Sequence, residues 1–166
     1  WIGNKGANAL NFLNSLNMSV IRITKEFHFE MAHALWNYDG PCRNIHGHSY
    51  ALYVTVVGKP LQNPGHPKNG MLIDFSELKN IVKTQILDQF DHALVVNRNT
   101  PQEFNTQARE LFGKVHFLDY QPTCENLITD MAARLQKSLP PTVRLHSLRL
   151  YETATSYAEW YADDNS

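Results

Sequence analysis

Residues 20–33 read Val20-Ile21-Arg22-Ile23-Thr24-Lys25-Glu26-Phe27-His28-Phe29-Glu30-Met31-Ala32-His33, and residues 46–58 read His46-Gly47-His48-Ser49-Tyr50-Ala51-Leu52-Tyr53-Val54-Thr55-Val56-Val57-Gly58. In the first stretch Ile21, Ile23, Phe27, Phe29, Met31 and His33 share one face, and Arg22, Thr24, Glu26, His28 and Glu30 share the other. Period two over such a length specifies a half-buried strand. The second stretch places His46, His48, Tyr50, Leu52, Val54 and Val56 on one side. Between the two, residues 36–44 hold Asn, Asp, Gly and Pro, which is loop chemistry. Two neighbouring strands of this kind, paired antiparallel, set the frame for everything else.

Outward from that frame, residues 59–70 carry Pro60, Pro64, Gly65, Pro67 and Gly70 and read as a wide turn. Asp74 opens a helix, with Glu77 at capping-box spacing and Phe75, Leu78, Ile81, Val82 and Ile86 as one apolar stripe down to about Phe90. Residues 97–121 are a long connection, with a short helix around residues 107–112; connections of this length in compact domains are often functional. Thr123 caps another helix, with Leu127, Met131, Leu135 and Leu139 buried, and Pro140-Pro141 stops it. Strands over residues 143–153 and 157–163 complete the order strand, strand, helix, helix, strand, strand. That order predicts the α+β class, with an antiparallel sheet and helices on one face.

At 166 residues, with 43% hydrophobic and 19% charged residues, the chain has the composition of an ordinary globular domain. A net charge of -1 supplies no global basic field for nucleic acid or anionic lipid. No stretch reaches the roughly 18 apolar residues of a membrane span. Two cysteines make no disulfide framework, and a cytoplasmic home follows. Residues 1–17 read as a leader, either extra to the protein or a real N-terminal helix built on Leu10, Phe12, Leu13 and Leu16, and residues 18–166 as the domain proper.

His46-Gly47-His48 puts two imidazoles on one strand face, because residues i and i+2 point alike. His33 ends the preceding strand on that strand's apolar face, so the three rings can converge. Three histidines with an open fourth position are the arrangement of a catalytic zinc site. Three separate hydrogen-bonded histidines are the bland alternative. His28 points to the polar face and is solvated; His66, His116 and His146 share that default, although His116 lies in the long connection. Gly47 leaves room for close approach to the backbone, or marks a bulge. Cys42 sits four residues before His46 and is either a thiol activated by its surroundings, a fourth zinc ligand or an inert cysteine. Asp91 beside His92 can fix a ring tautomer and raise its basicity. Glu152 is an exposed strand end or an anchor for a heterocycle with two parallel N–H donors.

Taken in chain order, Phe29-Glu30-Met31-Ala32-His33, Cys42-Arg43-Asn44-Ile45-His46-Gly47-His48-Ser49-Tyr50, Met71-Leu72-Ile73-Asp74-Phe75, Phe90-Asp91-His92-Ala93-Leu94, Pro122-Thr123-Cys124-Glu125-Asn126 and Leu150-Tyr151-Glu152-Thr153 resemble the 6-pyruvoyl- and 6-carboxy-tetrahydropterin synthase family. The likeness covers roughly residues 18–161, and its most specific piece is Cys-x3-His-Gly-His with an upstream histidine. The resemblance implies a T-fold, in which a four-stranded antiparallel sheet with two helices between strands two and three assembles into a barrel. It implies homo-oligomers, commonly hexamers, with active sites at subunit interfaces. It further implies a lyase acting on 7,8-dihydroneopterin triphosphate without a redox cofactor, with Zn2+ on His33, His46 and His48. Cys42 would then abstract a proton, Asp91 and His92 would complete its triad, Glu152 would hold the amino-pyrimidine edge, and Thr123 and Cys124 would line the pterin pocket. Of the two products, the 6-carboxy compound of the 7-deazaguanine (queuosine) route is favoured over the 6-pyruvoyl compound of the biopterin route. The leader and the long connection depart from the family pattern. The competing classes are a cupin-like metal enzyme and a non-catalytic zinc or pterin-binding module; cupin sheets usually add a carboxylate where Leu52 and Tyr53 stand here.

Overall fold

A computed structural model describes residues 19–166, and the leader expected over residues 1–17 lies outside them. Strand β1 (Ile21–Ala34) pairs antiparallel with β2 (His46–Gly58), in a register that sets Ile21 opposite Gly58 and His33 opposite His46. A loop joins them and contains one 3-10 turn, Pro41–Arg43. Helix α1 (Phe75–Val82) starts at Asp74, whose carboxylate accepts the Ser76 N–H at 2.7 Å. The expected reciprocal cap from Glu77 is not made, because Lys68 takes that carboxylate at 2.8 Å. The helix continues through a π turn, Lys83–Leu87, into a last turn, Asp88–Phe90. Leu78, Val82, Ile86 and Phe90 are buried, whereas Phe75 is 51% exposed and its ring lies 6.0 Å from the Lys25 ammonium.

Strand β3 (Ala93–Asn97) follows, then helix α2 (Gln102–Leu111) and strand β4 (Val115–Leu118). Helix α3 (Cys124–Ser138) opens at Thr123, whose hydroxyl accepts the Asn126 N–H at 3.3 Å. Strands β5 (Val143–Thr153) and β6 (Ser156–Tyr161) close the chain before a 3-10 turn.

The sheet runs β4-β3-β1-β2-β5-β6. Its β1-β2-β5-β6 part is antiparallel, as the order of the apolar patterns predicts. The expectation of four strands is corrected by two more. β3 lies parallel to β1 on its free side, and β4 lies parallel to β3. All five residues of β3 are buried, so its sequence carries no alternation to announce a strand. The helix expected near residues 107–112 is real but longer, covering the stretch that links β3 to β4. Within one chain the sheet is open, ending at β4 and β6.

Phe27, Phe29, Met31, Tyr50, Leu52 and Val54 meet Leu78, Ile86, Leu127, Met131 and Leu135 in one core. The opposite face of the sheet is polar: Tyr53 donates to Glu26 at 2.8 Å, Ser49 donates to Glu30 at 2.7 Å, and Arg149 meets Glu159 at 2.7 Å. Among the described residues no helix is long and apolar enough to cross a membrane.

Candidate metal centre and acid–base pair

The register alone brings the three histidines together. His33 and His46 are direct partners across the β1–β2 pair, and His48 stands opposite Met31, one step up the same face. Ring centroids are 4.6 Å apart for His33–His46, 5.2 Å for His33–His48 and 4.9 Å for His46–His48. One ring nitrogen from each lies within 4.8 Å of the others.

Two backbone carbonyls fix which nitrogens face inward. His33 Nδ1 is 2.7 Å from the Pro122 oxygen, and His46 Nδ1 is 2.8 Å from the Asn44 oxygen. A carbonyl only accepts, so each Nδ1 carries a proton and each ring, when neutral, turns its Nε2 lone pair to the centre. Those two Nε2 atoms are 3.1 Å apart. Two lone pairs at that distance repel unless a cation sits between them. A tetrahedral zinc with bonds near 2.0–2.1 Å would hold its ligand atoms about 3.3 Å apart. The donor set and the spacing therefore fit zinc. Burial lowers the His33 pKa, against the opposing pull of the Pro122 carbonyl and of Glu152, and so favours the neutral ligand form.

Glu152 is not an exposed strand end. One of its carboxylate oxygens is 3.7 Å from His33 Nε2 and 3.9 Å from His48 Nε2, and it accepts the Tyr50 hydroxyl at 3.2 Å. Tyr50 is fully buried, and burial together with the Glu152 charge pushes its pKa up, so it stays a donor. Cys42 is half-buried, in the 3-10 turn of the loop that leads into β2. Cys124 is a different kind of thiol. It donates to the Leu150 carbonyl at 3.4 Å, and burial pushes it up to about 11. Iodoacetamide at pH 8 is expected to alkylate Cys42 well before Cys124, read by peptide mass spectrometry; the reverse order would take Cys42 off the list of reactive groups.

Asp91 and His92 sit elsewhere. Asp91 Oδ1 accepts the Glu30 N–H at 3.0 Å and pairs with His92 Nδ1 at 2.9 Å, while the His92 N–H donates to the Glu30 carbonyl at 2.6 Å. Lys114 donates to the Asp91 carbonyl at 2.6 Å. These bonds hold His92 at a φ of 57°, left-handed backbone that an unsupported histidine would avoid. Burial raises the Asp91 pKa, but the Glu30 N–H, His92 and Lys114 outweigh it and the net shift is downward. With Nδ1–H bound to a persistent carboxylate, His92 Nε2 is free to act as a base. Its exposed ring borders a cavity of about 560 Å³ whose lining includes Glu30, Met31, Ala32, Gly47, His48, Ser49 and Lys114. On β1 and β2, Glu30, Ala32, Gly47 and Ser49 face away from the side of His33 and His46, and neither of those two rings lines the cavity, whereas His48 does.

A folded-state pKa below the ordinary aspartate value of about 3.9 gives stability that is present above that value. It is lost as pH falls through the lower folded-state pKa. Asp91→Asn is therefore expected to lower Tm at pH 7, and the gap to the parent is expected to narrow as pH falls below the ordinary aspartate range. A Tm equal to the parent's at pH 7 would leave the carboxylate without a stabilising role.

Residues 22–163 match the family model described as 6-pyruvoyl tetrahydropterin synthase. The chain belongs to that family.

Among relatives of this pterin synthase family, the chain is 37% identical to the 6-carboxy-5,6,7,8-tetrahydropterin synthase of Haemophilus influenzae, over 85% of this chain and 99% of that one. It is 31% identical to the Aquifex aeolicus protein of the same name, over 83% of this chain and 96% of the other. The 6-pyruvoyl tetrahydropterin synthase structure from Caenorhabditis elegans overlays with a TM-score of 0.63 at 22% identity, covering 88% of this chain and 98% of that one, which speaks for the fold.

Within this pterin synthase frame, several groups that shape the site have no side-chain signature in the sequence. The carbonyls of Pro122 and Asn44 are of this kind. Tyr50 could have been found, since its phenol follows His48 by two residues on the same face. Gly47 does not mark a close approach within the chain, because an added Cβ would meet the Met31 oxygen at an ordinary 3.5 Å. His116 packs against Phe90, with ring centroids 6.2 Å apart. The Thr123 hydroxyl is engaged as the helix cap.

Proposed function

We propose that the chain is a zinc-dependent lyase that converts 7,8-dihydroneopterin triphosphate and one water to 6-carboxy-5,6,7,8-tetrahydropterin, releasing triphosphate and acetaldehyde. The observation that carries this reading is the pair of inward-facing Nε2 atoms 3.1 Å apart, in a chain 37% identical to a synthase of that name along 99% of its length. Zinc, when held by His33, His46 and His48, would supply positive charge against the negative charge that develops on the substrate's side-chain oxygens.

The chain's own groups do the rest. Cys42, as thiolate, takes a proton from the carbon beside those oxygens. Glu152 holds the amino-pyrimidine edge through paired N–H donors, its position kept by Tyr50. Thr123 and Cys124 line the pterin pocket. Asp91 fixes His92 so that Nε2 can accept and return the proton. His92 borders a cavity that neither His33 nor His46 lines, which supports an active site completed by a neighbouring copy: Cys42 and the zinc from one, Asp91 and His92 from another. The open ends of the sheet leave room for assembly into the barrel of a T-fold, with a hexamer favoured, in the cytoplasm.

Incubation with 7,8-dihydroneopterin triphosphate, with and without chelator, tests the proposal by mass spectrometry. The 6-carboxy product, acetaldehyde and loss of activity on chelation are the expected results. Accumulation of the 6-pyruvoyl compound would move the chain to the biopterin reaction, and no turnover at all would remove the lyase reading.

A further inference from the structure

The long connection ends at Gln121, and that side chain reaches across to the loop that carries Cys42. Gln121 Oε1 accepts the Trp36 N–H at 3.1 Å, and Gln121 Nε2 donates to the Trp36 carbonyl. One planar amide thus occupies both backbone polar groups of a single loop residue. Gln121 is itself anchored, because its carbonyl accepts the Thr123 N–H at 2.8 Å and Asn126 Nδ2 at 2.9 Å, at the start of α3. Its neighbour Pro122 orients His33.

Trp36 sits just inside the neck of the loop. At that neck the Leu35 N–H donates to the Cys42 carbonyl at 2.9 Å. Beyond the neck the loop residues are mostly exposed; their backbone–backbone bonds are made within the loop itself, and the Asn44 carbonyl accepts from His46 Nδ1. From the other side, Pro101 and Phe104 of the connection face Trp36, Arg43 and Ile45 across a cavity of about 210 Å³. The connection therefore brackets the loop, with the Gln121 amide on one flank and the start of α2 on the other.

We propose that Gln121 is a positioning residue for the Cys42 thiol, and that the 97–121 connection serves to brace the loop bearing it. Proton abstraction needs the sulfur aimed to within fractions of an ångström. A misplacement of about 1 Å caused from outside the reacting groups can cost on the order of 100-fold in rate. A glutamate at position 121 has the same reach and can still accept from the Trp36 N–H. It cannot donate to the Trp36 carbonyl, and it sets charge against that oxygen. The proposal rests on Cys42 as the reacting thiol.

The test compares zinc-loaded parent, Gln121→Glu and Gln121→Ala. Both variants are expected to lose about 10–100-fold in kcat with KM and zinc content unchanged. Amide exchange should quicken over residues 35–44 but not in β1 or β2, and iodoacetamide should reach Cys42 faster. Should Gln121→Ala fail to fold, Gln121→Glu carries the comparison alone. Parent-like kcat and exchange in a folded variant would overturn the proposal, as would a rate loss matched by zinc loss and faster exchange throughout the sheet. A parent protein inert toward the pterin substrate overturns the thiol assignment instead, whereas the exchange rates read the clamp independently.

Discussion

His48→Ala should leave the protein folded, almost free of zinc and without measurable turnover. His48 is only partly buried, and among the described residues no backbone group depends on its ring as the Pro122 carbonyl depends on His33, so little structure is at stake. Metal binding is a different matter. Loss of a group that merely orients a ligand typically costs 10–100-fold in affinity, so loss of one of three direct ligands should exceed about 100-fold. Metal analysis after dialysis, beside a melting curve, separates the two effects. Full zinc occupancy in folded His48→Ala would exclude that ring from the coordination sphere. His33→Ala is expected to behave worse, because it also leaves a carbonyl unpaired beside a new cavity.

Cys42→Ala has the second large expected effect, and the opposite signature. Turnover should fall by on the order of 10²–10⁴-fold, the range that positioned proton transfer contributes, while zinc content stays at the parental level. Loss of metal along with activity would make Cys42 a ligand. Retained turnover would pass the proton step to another group, with Glu152 next in line, since one of its oxygens lies 3.7 Å from His33 Nε2.

Much of this could be read from the chain alone, for identifiable reasons. β1 and β2 announce themselves because each is wet on one face and dry on the other, and period two is then the only pattern that fits. The histidine cluster follows from the same alternation, as His46 and His48 are two residues apart and His33 closes the facing strand. β3 stayed hidden just ahead of the long connection. Ala93-Leu94-Val95-Val96-Asn97 is buried on both faces, and its parallel pairing with β1 depends on contacts between residues some sixty positions apart in the chain. The placement of Asp91 and His92 was hidden with it, since only the docking of β3 beside Met31 swings them onto Glu30 and away from the metal ligands. Gln121 was invisible for another reason: its partner is a peptide group, and every residue has one.

The direct pairing of His33 with His46 also makes the ion a proofreader of the sheet. Should β2 settle one residue out of step against β1, Gly47 and Ser49 would turn toward the helices and both β2 imidazoles would point to water. Such a mispaired chain would have lost its chelate. Zinc present while the polypeptide folds would thus reward a single alignment of these two strands, and the fraction of recovered protein that retains metal would count the molecules that found it.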